Sequence, residues 1–201
     1  MLLHNKLKDY NIILASRSPR RSELLKGLDL NFTIADNFEV DEVYPDSLDK
    51  KDVALYLSKL KADGYPFEIH DKDIIITADT VVLADDTILG KPKSKENAIQ
   101  MIKSLCGKSH DVITGVTIRT KTKTESFDVT TKVTFAMLSD EEIEYYIETY
   151  KPYDKAGSYG IQEWIGYAAI EHIEGSYYNV MGLPIRVMYG MLIKLSEGFS
   201  Q

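Results

Sequence analysis

The 201 residues suit one domain, or at most two small ones, and can bury a core of ordinary size without a disulfide framework or a structural metal. Apolar residues at 44 % and charged residues at 27 % exclude a disordered or collagen-like chain, and the single cysteine, Cys106, excludes an internal disulfide and any Cys₂ or Cys₄ zinc site. Lys plus Arg at 24 against Asp plus Glu at 31 leaves a net charge of −7, which argues against coating a nucleic acid but leaves room for one small phosphorylated ligand at a local basic cluster.

In chain order, Lys6, Lys8 and Asp9 stand where a signal peptide would need its apolar run. No later apolar stretch approaches the roughly 18 residues of a membrane span, so a cytoplasmic protein without a membrane partner is expected. Residues 11–15 (NIILA) read as a short buried strand. Pro19 suits a first helical position, and Leu24, Leu25 and Leu28 follow at helical spacing. Residues 32–35 suggest a second strand. The acidic stretch 36–49 carries Asp36, Glu39, Asp41, Glu42, Asp46 and Asp49 with no basic residue, and it predicts a loop, most of it a solvated face. From Ser47 a helix is expected to about Ala62, with Val53, Tyr56, Leu57 and Leu60 on one stripe and Gly64 and Pro66 stopping it.

Residues 74–84 (IIITADTVVLA) predict a buried strand with Asp79 in its middle, and Asp85-Asp86 a turn. Residues 94–105 predict an amphipathic helix through Ala98, Met101, Ile102 and Leu105. Residues 112–120 and 127–137 alternate strongly and predict a hairpin. Ser139-Asp-Glu-Glu142 is a capping box opening a helix that ends before Pro152. Residues 165–173 are a strand candidate, and Pro184 starts a last helix to Leu195. Strands and helices interleave while neighbouring strands also form hairpins. The expectation is an α/β fold with a mixed sheet and a cleft between two lobes, within a single domain over residues 1–201.

Five segments could carry chemistry. Ser16-Arg17-Ser18-Pro19-Arg20-Arg21 lies between a strand and a helix N-terminus, where free N–H groups, hydroxyls and guanidiniums can cradle phosphate. Walker A and G-x-G-x-x-G patterns are absent. Asp79 sits among apolar strand residues, where an unpaired carboxylate is costly; it is either a base held by a neighbouring cation or a strand-end Asp bonding backbone amides. Lys91 in Gly90-Lys-Pro92 either points into a cleft or is a surface turn lysine. Residues 154–162 (DKAGSYGIQ) form a glycine-containing loop in which the Gln162 amide can read a base edge. Residues 175–184 (GSYYNVMGLP) either cap a cleft wall or simply lead into the last helix. The four histidines lack metal-ligand spacing, so His110 is expected to be structural, and Cys106 has no neighbouring base. Neither Ser16 nor Ser18 lies in a G-x-S-x-G elbow, which argues against a serine hydrolase.

Taken together and in order, LASRSPRR (14–21), VDE (40–42), SKLKA (58–62), ADTVV (78–82), GKP (90–92), GKSHDVITGV (107–116), DKAGSYGIQ (154–162) and GSYYNVMGLP (175–184) resemble the Maf family of nucleoside triphosphate pyrophosphatases, also called septum-formation proteins. The resemblance implies an elongated mixed sheet flanked by helices, with a deep cleft as in inosine triphosphatase-like folds, and a homodimer. It implies hydrolysis of a nucleoside triphosphate to monophosphate and pyrophosphate with a divalent cation, Mg²⁺ or Mn²⁺, whose ligands it does not name. Asp79 matches the family's proton acceptor. Ser16, Arg21, Glu42, Lys61 and Lys91 match substrate-site positions, with Asp41 an alternative alignment for Glu42. Arg20, Thr80 and Gln162 fall where subfamilies differ and resemble the dTTP/UTP type; the 7-methyl-GTP type carries Trp, Gln and Glu there. The septum-formation name keeps a second expectation open, a nucleotide-binding regulator of division without turnover. A third is an inosine or xanthosine triphosphate pyrophosphatase.

Overall fold

The apolar, β-branched stretch around Asp79 forms the strand on which the sheet is built. The structure, a computed structural model, describes residues 1–36 and 38–198; Asn37, inside the acidic stretch, lies outside them. Strands β1 (Asn11–Leu14), β2 (Phe32–Ile34), β3 (Asp73–Ala84), β4 (Thr87–Leu89), β5 (Ser109–Arg119), β6 (Thr124–Phe135) and β7 (Ile170–Glu174) share one sheet. Their order is β2-β1-β3-β5-β6-β7, with β4 beside β3. β1 runs parallel to β2 and β3, and the other pairs are antiparallel. Parallel neighbours need crossovers, and helices α2 (Pro19–Lys26) and α3 (Val53–Asp63) supply them. The mixed α/β sheet expected from the alternation of elements is the one observed.

β3 is buried almost throughout because it is covered on both faces. On one face α3 packs Val53, Ala54 and Leu57 against Val81 and Ile113. Gly115 on β5 makes this approach possible: a Cβ there would lie 2.3 Å from the Ala54 carbonyl oxygen. The larger core takes Leu24 and Leu25 of α2, together with residues of α1 (Leu3–Lys6), α4 (Lys95–Leu105), α5 (Asp140–Tyr150), α6 (Trp164–Ala169) and α8 (Ile185–Gly198). Each fully buried Leu or Ile there is worth roughly 1.5–3 kcal/mol relative to exposure. The Ser139 capping box opens α5 as expected, and Ser18 and Ser94 cap α2 and α4. No described helix is long and apolar enough to cross a membrane.

Two expectations are corrected. Residues 47–52 are turns and α3 begins only at Val53, because the Asp49 carboxylate takes the Lys51 amide (2.9 Å) and competes with helical bonding. The strand expected over 165–173 is helix α6 followed by β7. Gly166 decides this: a Cβ there would lie 1.8 Å from the Ile161 carbonyl oxygen, so the chain turns tightly where an apolar run alone cannot tell helix from strand. The Asp85-Asp86 turn has both residues at positive φ, the geometry of a two-residue hairpin, and it adds the short β4.

Candidate active site

Asp79 lies mid-strand on β3, opposite Gly115, and is 8 % exposed. Its carboxylate bonds no backbone amide among the described residues. Lys61, in the last turn of α3, places its Nζ 2.5 Å from Asp79 Oδ1 and 2.9 Å from Glu42 Oε1. A buried carboxylate is thus paired, as its burial demands. Asp79 Oδ2 makes no hydrogen bond among the described residues. Burial works against the Glu42 charge, but Lys61, Lys91 and Arg21 outweigh it and hold the carboxyl below its ordinary range. Between the two alignments of the acidic motif, the geometry places Glu42, not Asp41, on Lys61.

Arg21 is fixed by the scaffold. Its Nε donates to the Gly182 carbonyl (2.8 Å), Nη1 to Ala78 O (2.9 Å) and Ser16 Oγ (3.2 Å), and Nη2 to Thr80 Oγ1 (3.1 Å). Four of its five N–H groups are therefore taken. Burial lowers its pKa, with the Asp79 charge opposing. Thr80 also shares a 3.0 Å bond with Thr114. Ser16 Oγ further accepts from the Ser18 amide. Arg20 reaches the other way, to Asp154 Oδ2 at 2.8 Å.

The loop after α5 brings the remaining groups in. The Gly157 amide donates to Gly90 O (3.1 Å), which ties this loop to the turn holding Lys91. Gly157 has φ +66, and a Cβ would press within 2.9 Å of Val82, so only glycine suits this contact. Lys91 is exposed and forms no ion pair among the described residues. Gln162 is partly buried, and its Oε1 is fully enclosed with no hydrogen-bond partner among the described residues.

Ser16, Arg20, Arg21, Glu42, Lys61, Asp79, Thr80, Lys91 and Gln162, drawn from six distant segments, all line one cavity of about 750 Å³. Residues 180–182, within and just after α7 (Tyr177–Met181), form part of its wall, so the 175–184 segment is both wall and lead-in to α8. The acidic stretch is corrected in part: Asp36, Phe38, Val40 and Tyr44 also line the cavity, because its interspersed apolar residues fold inward. His110 is buried, bonded to Tyr159 through Nε2 (2.8 Å), and stacked edge-on with Phe135 and Tyr159, as a structural histidine would be. Lys155, Glu163 and Tyr146, which reasoning from sequence passed over, form a bonded cluster beside the cavity. A lysine and a tyrosine spaced as ordinary helix and loop residues carry no local signal of it.

The profile of the Maf family, described as Maf-like protein, matches residues 11–195. A dTTP/UTP pyrophosphatase of Porphyromonas gingivalis is 52 % identical over 96 % of this chain and 98 % of its own length. Proteins of the same name from Parabacteroides distasonis (52 %, over 91 % of this chain and 95 % of that protein) and Flavobacterium johnsoniae (50 %, over 96 % and 100 %) are similar throughout. With a family profile spanning nearly the whole chain and relatives at half identity, this chain belongs to the Maf family.

Proposed function

We propose that the chain hydrolyses nucleoside triphosphates, dTTP and UTP foremost, to the monophosphate and pyrophosphate. The observation that carries this reading is the Glu42–Lys61–Asp79 cluster in a cavity that also holds Arg20, Arg21 and Lys91. Asp79 is ion-paired on one oxygen and open on the other, so Oδ2 can take the proton of a water attacking the α-phosphorus. The new O–P bond forms as the bond to the bridging oxygen breaks, and pyrophosphate leaves with the electron pair. Lys61 and Lys91 offset the growing negative charge, and Arg21 offers its one remaining N–H from a fixed position.

Gln162 supports the choice of base. Uracil and thymine present an N3–H between two carbonyls, whereas cytosine presents an acceptor at N3. Gln162 lines the cavity, and its primary amide carries both an acceptor and a donor, the pair that an N3–H and a flanking carbonyl require.

A divalent cation, Mg²⁺ or Mn²⁺, belongs to the same reading. Among the described residues no three His, Cys, Asp or Glu side chains converge as a cage. That suits an ion held by one or two carboxylates and completed by substrate phosphates and water. Glu42 is the carboxylate that would hold it, which leaves Asp79 Oδ2 to the water, and when bound it would draw charge from the phosphate oxygens.

Pyrophosphate release from dTTP, UTP, CTP, GTP, 7-methyl-GTP, ITP and XTP, with Mg²⁺ or Mn²⁺, tests the reading. The expected result is turnover with dTTP and UTP well above the rest. Binding of these nucleotides without release would establish a regulator instead, and preference for ITP or XTP would overturn the choice of base.

A further inference from the structure

On the wall of the same cavity a buried lysine lies between two carboxylates. Lys155 Nζ lies 2.8 Å from Asp154 Oδ1 and 3.0 Å from Glu163 Oε1, and its side chain is 9 % exposed. Each carboxylate has a further partner: Asp154 Oδ2 accepts from Arg20, and Glu163 Oε2 accepts from the Tyr146 hydroxyl. The same hydroxyl oxygen accepts from the Gly160 amide at 3.0 Å. One run of bonds therefore links Arg20 on α2, Asp154, Lys155 and Glu163 in the loop, Tyr146 on α5, and the backbone two residues before Gln162. At Gly160 a Cβ would come within 2.9 Å of Lys155 Cε and Glu163 Cδ, so the backbone is pressed onto the network itself.

Buried ion pairs of this kind add little net stability compared with apolar packing, because desolvation offsets their attraction. What they do well is to fix geometry. With its charge met by two carboxylates, Lys155 has little left to offer a phosphate. We infer that Lys155 is a positioning residue for nucleotide selection, holding Arg20 through Asp154 and the Gln162 loop through Glu163, Tyr146 and Gly160. The inference rests on the reading that this cavity selects uracil and thymine triphosphates over the cytosine one.

The test measures kcat and KM for UTP and CTP in the wild type, Lys155→Met, Lys155→Arg and Tyr146→Phe. Inorganic tripolyphosphate, as a competitive inhibitor, reads the phosphate end separately. A misplaced binding group costs roughly 10- to 100-fold, so the UTP-over-CTP ratio of kcat/KM should fall by about that factor in Lys155→Met. The loss should lie in KM for UTP, with tripolyphosphate inhibition unchanged. Lys155→Arg should recover most of the ratio, since a guanidinium can reach both carboxylates. Tyr146→Phe should shift it the same way by less, and it decides the matter if Lys155→Met does not fold. An unchanged ratio in the folded variants overturns the positioning role, as does an equal weakening of tripolyphosphate inhibition. A wild type without preference for UTP over CTP overturns the uracil-and-thymine reading itself, and that outcome is visible before any variant is made.

Discussion

Two lysines of this chain are each held between two carboxylates at the same cavity, and they are not equivalent. Lys61 joins Glu42 to Asp79, and Lys155 joins Asp154 to Glu163. Around Lys155 the carboxylates go on to bond Arg20 and Tyr146, so the cluster closes on protein groups. Around Lys61 they go no further: Glu42 and Asp79 have no other bonded partner among the described residues. A closed polar network resists rearrangement, whereas an open one leaves lone pairs for water, a cation or substrate. Charge alone would have ranked the two alike; the count of remaining partners separates the frame from the proposed reaction centre.

The largest expected effect breaks the open cluster. Asp79→Asn keeps the shape of the side chain and leaves Lys61 its bond to Glu42, so folding should be nearly intact. Turnover should fall by roughly 10²–10⁴-fold, the usual contribution of a general base. Pyrophosphate release together with thermal unfolding checks this, and near-normal turnover would remove Asp79 from the base role.

The next effect lies behind the closed wall. His110 bonds Tyr159 of the Gln162 loop, its Nδ1 has no partner among the described residues, and burial holds its pKa at about 4, below its ordinary value of 6.5. The folded-state pKa is depressed, so stability is complete above pH 6.5. As pH falls from 6.5 to about 4 the unfolded chain takes up a proton that the folded chain refuses. The linkage should remove about 3 kcal/mol over that window. Urea unfolding at pH 7, 5.5 and 4 would show it, and His110→Phe, which keeps a ring against Phe135, should flatten this part of the profile.

Gln162→Glu should be smaller. A carboxylate accepts but cannot donate to the flanking carbonyl, so the kcat/KM for UTP should drop by about 10- to 100-fold and base preference should move away from thymine and uracil. The same nucleotide panel reads it, and an unchanged profile would show that Gln162 does not touch the base.

How far each cluster was legible in the sequence follows from the same distinction. β3 was legible because two-sided burial leaves a long β-branched run, and α4 and α5 because their stripes and serine caps are local. Asp79 and Lys91 each allowed a bland reading alone, Lys61 drew no reading of its own, and it was the ordered set of segments that joined them. The closed cluster was not legible. Tyr146 lies on the buried stripe of α5, where spacing says only core, and its partner Glu163 is 17 residues away. Arg21 was placed at the phosphate by its motif, but how it is held was not legible: two of its acceptors are the carbonyls of Ala78 and Gly182, and main-chain oxygens leave no mark on a sequence. Gly166 turned an expected strand into α6 through one close backbone approach, a contact that exists only once the chain is folded.

The smallest expected effect tests whether the closed wall is held by charge. Burial tends to raise the Asp154 pKa, but hydrogen bonds from Lys155 and Arg20 outweigh it and hold the carboxyl at about 2, below its ordinary 3.8. Its folded-state pKa is depressed, so the stabilisation is present above pH 4 and is lost as pH falls through about 2. More than half of the side chain is exposed, and solvent screening keeps the contribution within the range of surface pairs, under about 1 kcal/mol. Asp154→Asn should therefore lower the Tm slightly at pH 6, and the gap from wild type should close as the pH approaches 2. A gap that stays constant from pH 6 to pH 2 would mean that Asp154 holds Arg20 and Lys155 by shape rather than by charge. The contrast between the two lysines would then rest on packing alone.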